Sequence, residues 1–129
     1  MRFSQGGIFL RTYLAITPKA LSQLPAPPPL PLVHMAYAVG QGGCLTRCAA
    51  ANLPHGGLMG LSDRCSGSIP RADALCRAIA AECVRRGFQG VLADFESPAH
   101  TDRVSFLTQL TGQLAAPVSY THLTLPTNA

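Results

Sequence analysis

Apolar positions along the chain follow two rhythms, one of period two and one of helical spacing. Between Gly7 and Thr17 the residues Ile8, Leu10, Tyr13, Leu14 and Ile16 suit a first strand, closed by Pro18 and Lys19. Lys19 to Leu24 has room for a helical turn or two. Pro25, Pro27, Pro28, Pro29 and Pro31 then exclude helix and inner strand, because each lacks an N–H and fixes its own φ. That run reads as an extended connector. A second strand follows at Leu32 to Val39, ended by a turn at Gly40-Gln41-Gly42-Gly43. A looped stretch reaches Gly57, and a third short run, Leu58 to Leu61, stops at Ser62-Asp63. A helix is expected from Pro70 to about Arg86. Its residues Ala72, Leu75, Cys76, Ile79 and Cys83 form one apolar stripe, and Gly87 ends it. A fourth strand spans Phe88 to Glu96. A second helix starts near Thr101, with Val104, Leu107, Leu110 and Leu114 on one face.

Strands separated by crossovers imply an α/β fold with a parallel sheet and helices packed on it. Flavodoxin-like folds and barrels both begin this way, and the pattern does not separate them.

The 129 residues make one domain at most. Charged residues are only 12% against 47% hydrophobic, which excludes a disordered charged tail. Arg11 interrupts the apolar stretch Gly6 to Ile16, so no membrane span is expected. The net charge of +4 comes from scattered residues, and the pair Arg85-Arg86 sits at a helix C-terminus where cations offset the macrodipole. No basic stretch is interleaved with aromatics, so nucleic acid is not an expected partner. Cys44, Cys48, Cys65, Cys76 and Cys83 contain no C-x-x-C, and no pair sits with His at zinc-site spacing. Cys76 and Cys83 read as core residues, while Cys44 and Cys48 lack a second pair to complete a metal site. No metal or other cofactor is expected. His34 reads as a packed strand residue. The cysteines fit a reducing compartment and no secretory signal is evident, which leaves localisation open.

The chemistry concentrates at the fourth strand. Alternation puts Gly90, Leu92, Asp94 and Glu96 on one face and the apolar Val91, Ala93 and Phe95 on the other. Asp94 and Glu96 then lie about 6–7 Å apart at the C-terminal end of a parallel strand. Open α/β sheets and barrels place reactive groups there. From the residues alone, the pair is a general acid with its partner, two solvent-facing acids, or oxygen ligands for a divalent metal.

Phe88 to Glu96 resembles the signature of glycoside hydrolase family 18, the chitinase-like (β/α)8 barrels, whose fourth strand reads D-G-x-D-x-D-x-E. Glu96 matches the proton-donating Glu, Asp94 the last Asp and Gly90 the Gly. Gln89 and Leu92 replace the first and middle Asp. Leu32-Val33-His34-Met35-Ala36-Tyr37-Ala38-Val39 is similar to the family's second strand, and Leu58-Met59-Gly60-Leu61-Ser62 to its third without the Gly-Gly that usually follows. Tyr13 falls where the first strand often carries an inward aromatic. The resemblance implies the N-terminal half of a (β/α)8 TIM barrel over residues 1–117. It implies hydrolysis of N-acetylglucosamine-containing glycans, of chitin or peptidoglycan type. The substrate's own acetamide is then the nucleophile, Glu96 the acid, Asp94 the group orienting the acetamide, and Tyr13 and Tyr37 sugar contacts. The alternatives are a carbohydrate-binding relative without turnover and a small complete α/β domain of unknown function.

Residues 118–129, from Val118 to Ala129, have no helical period and resemble a translated sequencing adapter. The segment is expected to be foreign to the fold, with the natural chain continuing past residue 117. Four strands cannot close a barrel, so the fragment by itself is expected to be inactive and prone to aggregate.

Overall fold

The computed structural model describes residues 12–48, 53–54, 56–95, 100–114 and 122–124. In chain order the elements are β1 (Leu14–Ile16), α1 (Pro18–Ser22), β2 (Leu32–Val39), β3 (Leu45–Arg47), β4 (Leu58–Asp63), α2 (Ala72–Arg86), β5 (Val91–Asp94), α3 (His100–Leu114) and β6 (His122–Thr124). The architecture is α/β. Five strands pair in parallel in the order β1-β2-β4-β5-β6, and β3 pairs antiparallel with β2.

Strand order follows chain order without reversal. A doubly wound sheet reverses at a switch point and carries helices on both faces. Here each crossover steps the same way, so α2 and α3 lie on one face. Their residues Leu75, Cys76, Ile79, Cys83, Phe106, Leu107, Leu110 and Leu114 form one core with Tyr37, Val39, Met59, Leu61, Val91, Ala93 and Phe95 from the strands. Phe95 and Phe106 stack with ring centroids 6.0 Å apart. The opposite face, by register, carries Val33, Met35 and Ala38 of β2, Leu58, Gly60 and Ser62 of β4, and Leu92 and Asp94 of β5. We call it the open face.

β2 changes phase midway. Met35 pairs with Gly60 and Tyr37 with Leu61, so Ala36 is one extra residue, a β-bulge. The bulge sets His34, Tyr37 and Val39 all on the helix-covered face.

Several expectations are corrected. The first strand covers Leu14–Ile16 among the described residues, because Leu14 already aligns with Leu32, the first residue of β2, and β2 offers no partner before it; residues 7–11 lie outside the described residues. β3 was not expected. It forms a hairpin with β2 through the glycine turn, where Gly40 N–H donates to the Cys44 carbonyl at 2.8 Å. β4 runs on to Asp63. α2 starts at Ala72 and not Pro70, because Arg71 holds a left-handed conformation (φ 52°, ψ 49°) that no helix continues through. Val104 is 45% exposed. The buried stripe of α3 is Arg103, Phe106, Leu107, Leu110 and Leu114 instead.

β6 is the described part of 118–129, and its backbone pairs in parallel with β5. An open sheet edge accepts any short extended segment of suitable composition. The pairing therefore speaks to the β5 edge and not to the origin of the segment.

Candidate functional site

Asp94 ends β5 on the open face. Its neighbours Val91, Ala93 and Phe95 are held in the core, which fixes the phase of the strand and turns Asp94 out to solvent. The other described acids are all engaged. Asp73 pairs with Arg77 at 3.4 Å, and Glu82 with Arg85 at 2.7 Å. Asp63 and Asp102 both pair with Arg103. Among the described residues, Asp94 is the one carboxylate without an ion pair. Its register partner across β4 is Ser62, whose hydroxyl donates to the Tyr37 carbonyl at 3.2 Å.

Glu96 lies outside the described residues. Tyr13 is half-buried just before β1, whose Leu14 aligns with Leu32 at the start of β2. Counting along the register, it stands about 20 Å from the level of Asp94 in the strand direction. Tyr37 is buried on the helix face. Its hydroxyl donates to Glu82 of α2 at 2.5 Å, and its ring meets Phe88 edge-on at 5.8 Å between centroids. Tyr13, Tyr37 and Asp94 are thus not brought together.

Burial, then the hydrogen bond to Glu82 and the Glu82 charge, hold the Tyr37 phenol well above its usual range. Burial pushes Glu82 up, but the hydrogen bonds from Tyr37 and Arg85 and the charges of Arg85 and Arg86 outweigh it. The Glu82 carboxyl stays below its ordinary value. Burial pushes the Cys76 thiol up to about 11 and the Cys83 thiol up to about 12. Both are therefore poor nucleophiles. Cys44 and Cys48 are exposed free thiols.

Arg103 was not foreseen. It is 2% exposed, yet every N–H of its guanidinium has a partner. Nε donates to Asp63. One terminal nitrogen donates to Asp102 at 2.6 Å and the Gly67 carbonyl at 2.8 Å; the other donates to Asp63 at 3.3 Å and the Cys65 carbonyl at 2.6 Å. Burial favours loss of its proton, but the bonds and charges of Asp63 and Asp102 hold its pKa above the usual value. The residue ties the loop after β4 to α3. One signal was available: Arg103 stands at helical spacing with Leu107, Leu110 and Leu114, a cation on an apolar stripe.

A cavity of about 530 Å³ lies at the opposite, N-terminal end of the strands, between α1, the proline connector and His34. Burial lowers the His34 pKa, against a hydrogen bond with the Gly56 backbone that raises it.

No family model, no curated protein and no solved structure matches the chain. Among the described residues no helix is long and apolar enough to cross a membrane, and no group of three or more His, Cys, Asp or Glu could hold a metal ion.

Proposed function

We propose that the sheet is part of a (β/α)8-type barrel and that its open face, at the C-terminal strand ends, hydrolyses glycans containing N-acetylglucosamine. The observation that carries the reading is Asp94: an exposed carboxylate, without an ion pair among the described residues, at the end of a parallel strand on the face away from the helices. The unreversed strand order supports it, because one-way winding is how a barrel is built and a doubly wound sheet is not.

In this reading Asp94 accepts a hydrogen bond from the N–H of the substrate's acetamide and stabilises the positive charge that develops when the acetamide oxygen attacks the anomeric carbon. Glu96, two residues on in the sequence, gives its proton to the departing glycosidic oxygen. It then takes one from the water that opens the cyclised intermediate. Leu92, half-buried on the face of Asp94, offers no second carboxylate to share charge with it. That substitution favours a second reading, sugar binding without efficient turnover.

Oligosaccharides of N-acetylglucosamine, offered to the full-length protein, test both. Cleavage that falls at least about 100-fold in Glu96→Gln supports hydrolysis. Binding without cleavage, weakened by Asp94→Asn, supports the second reading. Neither binding nor cleavage removes both.

A further inference from the structure

The cavity of about 530 Å³ at the N-terminal strand ends takes no part in the chemistry at Asp94. Leu21, Leu24 and Leu30 supply its apolar side chains, with proline rings from the connector and from Pro54. No charged side chain lines it among the described residues. The one titratable group in the lining is His34, which is 2% exposed.

His34 is only half satisfied. Gly56 N–H donates to the Arg86 carbonyl at 3.1 Å, which leaves the Gly56 carbonyl for the imidazole. The bond between His34 and the Gly56 backbone is therefore a ring N–H donating to that carbonyl, and for that reason it raises the histidine pKa. Among the described residues the second ring nitrogen has no hydrogen-bond partner. Burial outweighs the Gly56 bond and keeps the ring neutral at neutral pH, so that nitrogen is a lone-pair acceptor. A buried acceptor without a donor costs free energy that a ligand's donor recovers. The walls around it are held by the main chain. Gln89 N–H donates to the Gly57 carbonyl at 2.8 Å, Leu24 N–H to the Leu21 carbonyl at 3.2 Å and Leu14 N–H to the Pro31 carbonyl at 3.0 Å. Each proline fixes its own φ, so the wall has little freedom to lose when a ligand enters.

We infer that this cavity binds an uncharged apolar molecule with a single hydroxyl donor, of the phenol class, seated with its O–H on the free nitrogen of His34. The volume falls within the range of small-molecule pockets, about 300–1,000 Å³. A lining without a cation disfavours a carboxylate or phosphate, and one without an acid disfavours an amine. A phenol O–H is a stronger donor than that of an alkanol, and a flat ring suits walls of leucine and proline. The inference is independent of the glycan reading, which concerns the other end of the strands.

Ligand-observed NMR on the full-length protein tests it with three probes. They are para-butylphenol, its methyl ether para-butylanisole, and para-butylbenzoate, an anion at neutral pH. The phenol is expected to bind at least about tenfold more tightly than either of the others. His34→Phe keeps a ring beside Phe88 and removes the acceptor. It is expected to bring the phenol to the affinity of the ether and to leave the ether unchanged. Leu24→Glu with Leu30→Glu, both at exposed positions, puts charge into the apolar wall. It is expected to weaken the phenol at least about tenfold while the circular dichroism of the protein is retained. Equal binding of phenol and ether, tighter binding of the benzoate, no binding of any probe, or a preference that survives His34→Phe overturns the inference. Oligosaccharides of N-acetylglucosamine are expected to leave the phenol in place. Displacement by them would put the phenol at the Asp94 end and also overturns it.

Discussion

Arg103, in the first turn of α3, grips Asp63 at the end of β4 across 40 residues of chain. Asp63 also accepts from the Cys65 N–H at 3.1 Å, and Asp102 from the Ile69 N–H at 3.0 Å, so one cation and two anions organise the whole β4–α2 loop. Arg103→Met would leave the buried Asp63 uncompensated and is expected to cost about 3–5 kcal/mol in denaturant unfolding. Adding Asp63→Asn is expected to restore part of that loss. A single substitution within about 1 kcal/mol of wild type would show that the loop does not depend on the pair.

The bond from Tyr37 to Glu82 joins β2 to α2 at a point where both groups are mostly buried. Tyr37→Phe is expected to cost about 1.5–3 kcal/mol, the range for a hydrogen bond to a charged group. It also changes the acid limb. Glu82 has a folded pKa below its ordinary 4.5, so it contributes stability above that value and loses it as the pH falls through the folded pKa. Without the Tyr37 hydroxyl the depression shrinks, and urea midpoints measured across the acid range should fall less steeply than in wild type.

His34 gives a second pH dependence, nearer neutrality. Its pKa is lowered from 6.5 in the fold, so the unfolded chain binds more protons between the folded and unfolded values. Stability is then fully present above about 6.5 and lost as the pH drops below it. His34→Gln removes the titrating group. The expected result is a flatter dependence of the urea midpoint between about pH 5 and 7; an unchanged slope would assign the effect to other groups.

Gly60 lies under Met35. A Cβ there would run into Met35 Sδ and would stand 3.0 Å from both the His34 carbonyl oxygen and Met35 Cα. Gly60→Ala is expected to destabilise by about 1–3 kcal/mol, as overpacking does. Met35→Ala in the same chain removes the sulfur but not the backbone contacts, so thermal unfolding should recover in part only.

Much of the fold was legible because β2, β4, β5 and the α2 stripe are long or strongly apolar, and their phase is set by residues such as Val91, Ala93 and Phe95 that have one reasonable destination. β3 was not, because Leu45-Thr46-Arg47 is short, half polar and defined only by the edge it pairs with. The start of α2 was misplaced because Pro70 suits a first helical turn, whereas the left-handed Arg71 is a tertiary outcome: the chain at Pro70 passes so close to Gly43 that a Cβ there would lie 2.8 Å from the Pro70 carbonyl oxygen. The phase of Asp94 could be read from alternation, since a carboxylate among alternating apolar residues has one face to take. Arg103 could not be recognised as buried without its partners, because Asp63 and Asp102 come from separate elements.

The extra residue in β2 has a consequence for how that strand tolerates change. Plain alternation spaces like positions two apart, but Met35 and Ala38, both on the open face, are three apart, with Ala36 and Tyr37 together in the core between them. A scan of polar replacements along β2 should therefore lose its two-residue rhythm at Ala36. Deleting that one alanine would restore plain alternation, because Met35 and Tyr37 already pair with the consecutive Gly60 and Leu61; deleting any other residue of β2 would instead turn one half of the strand over relative to the other.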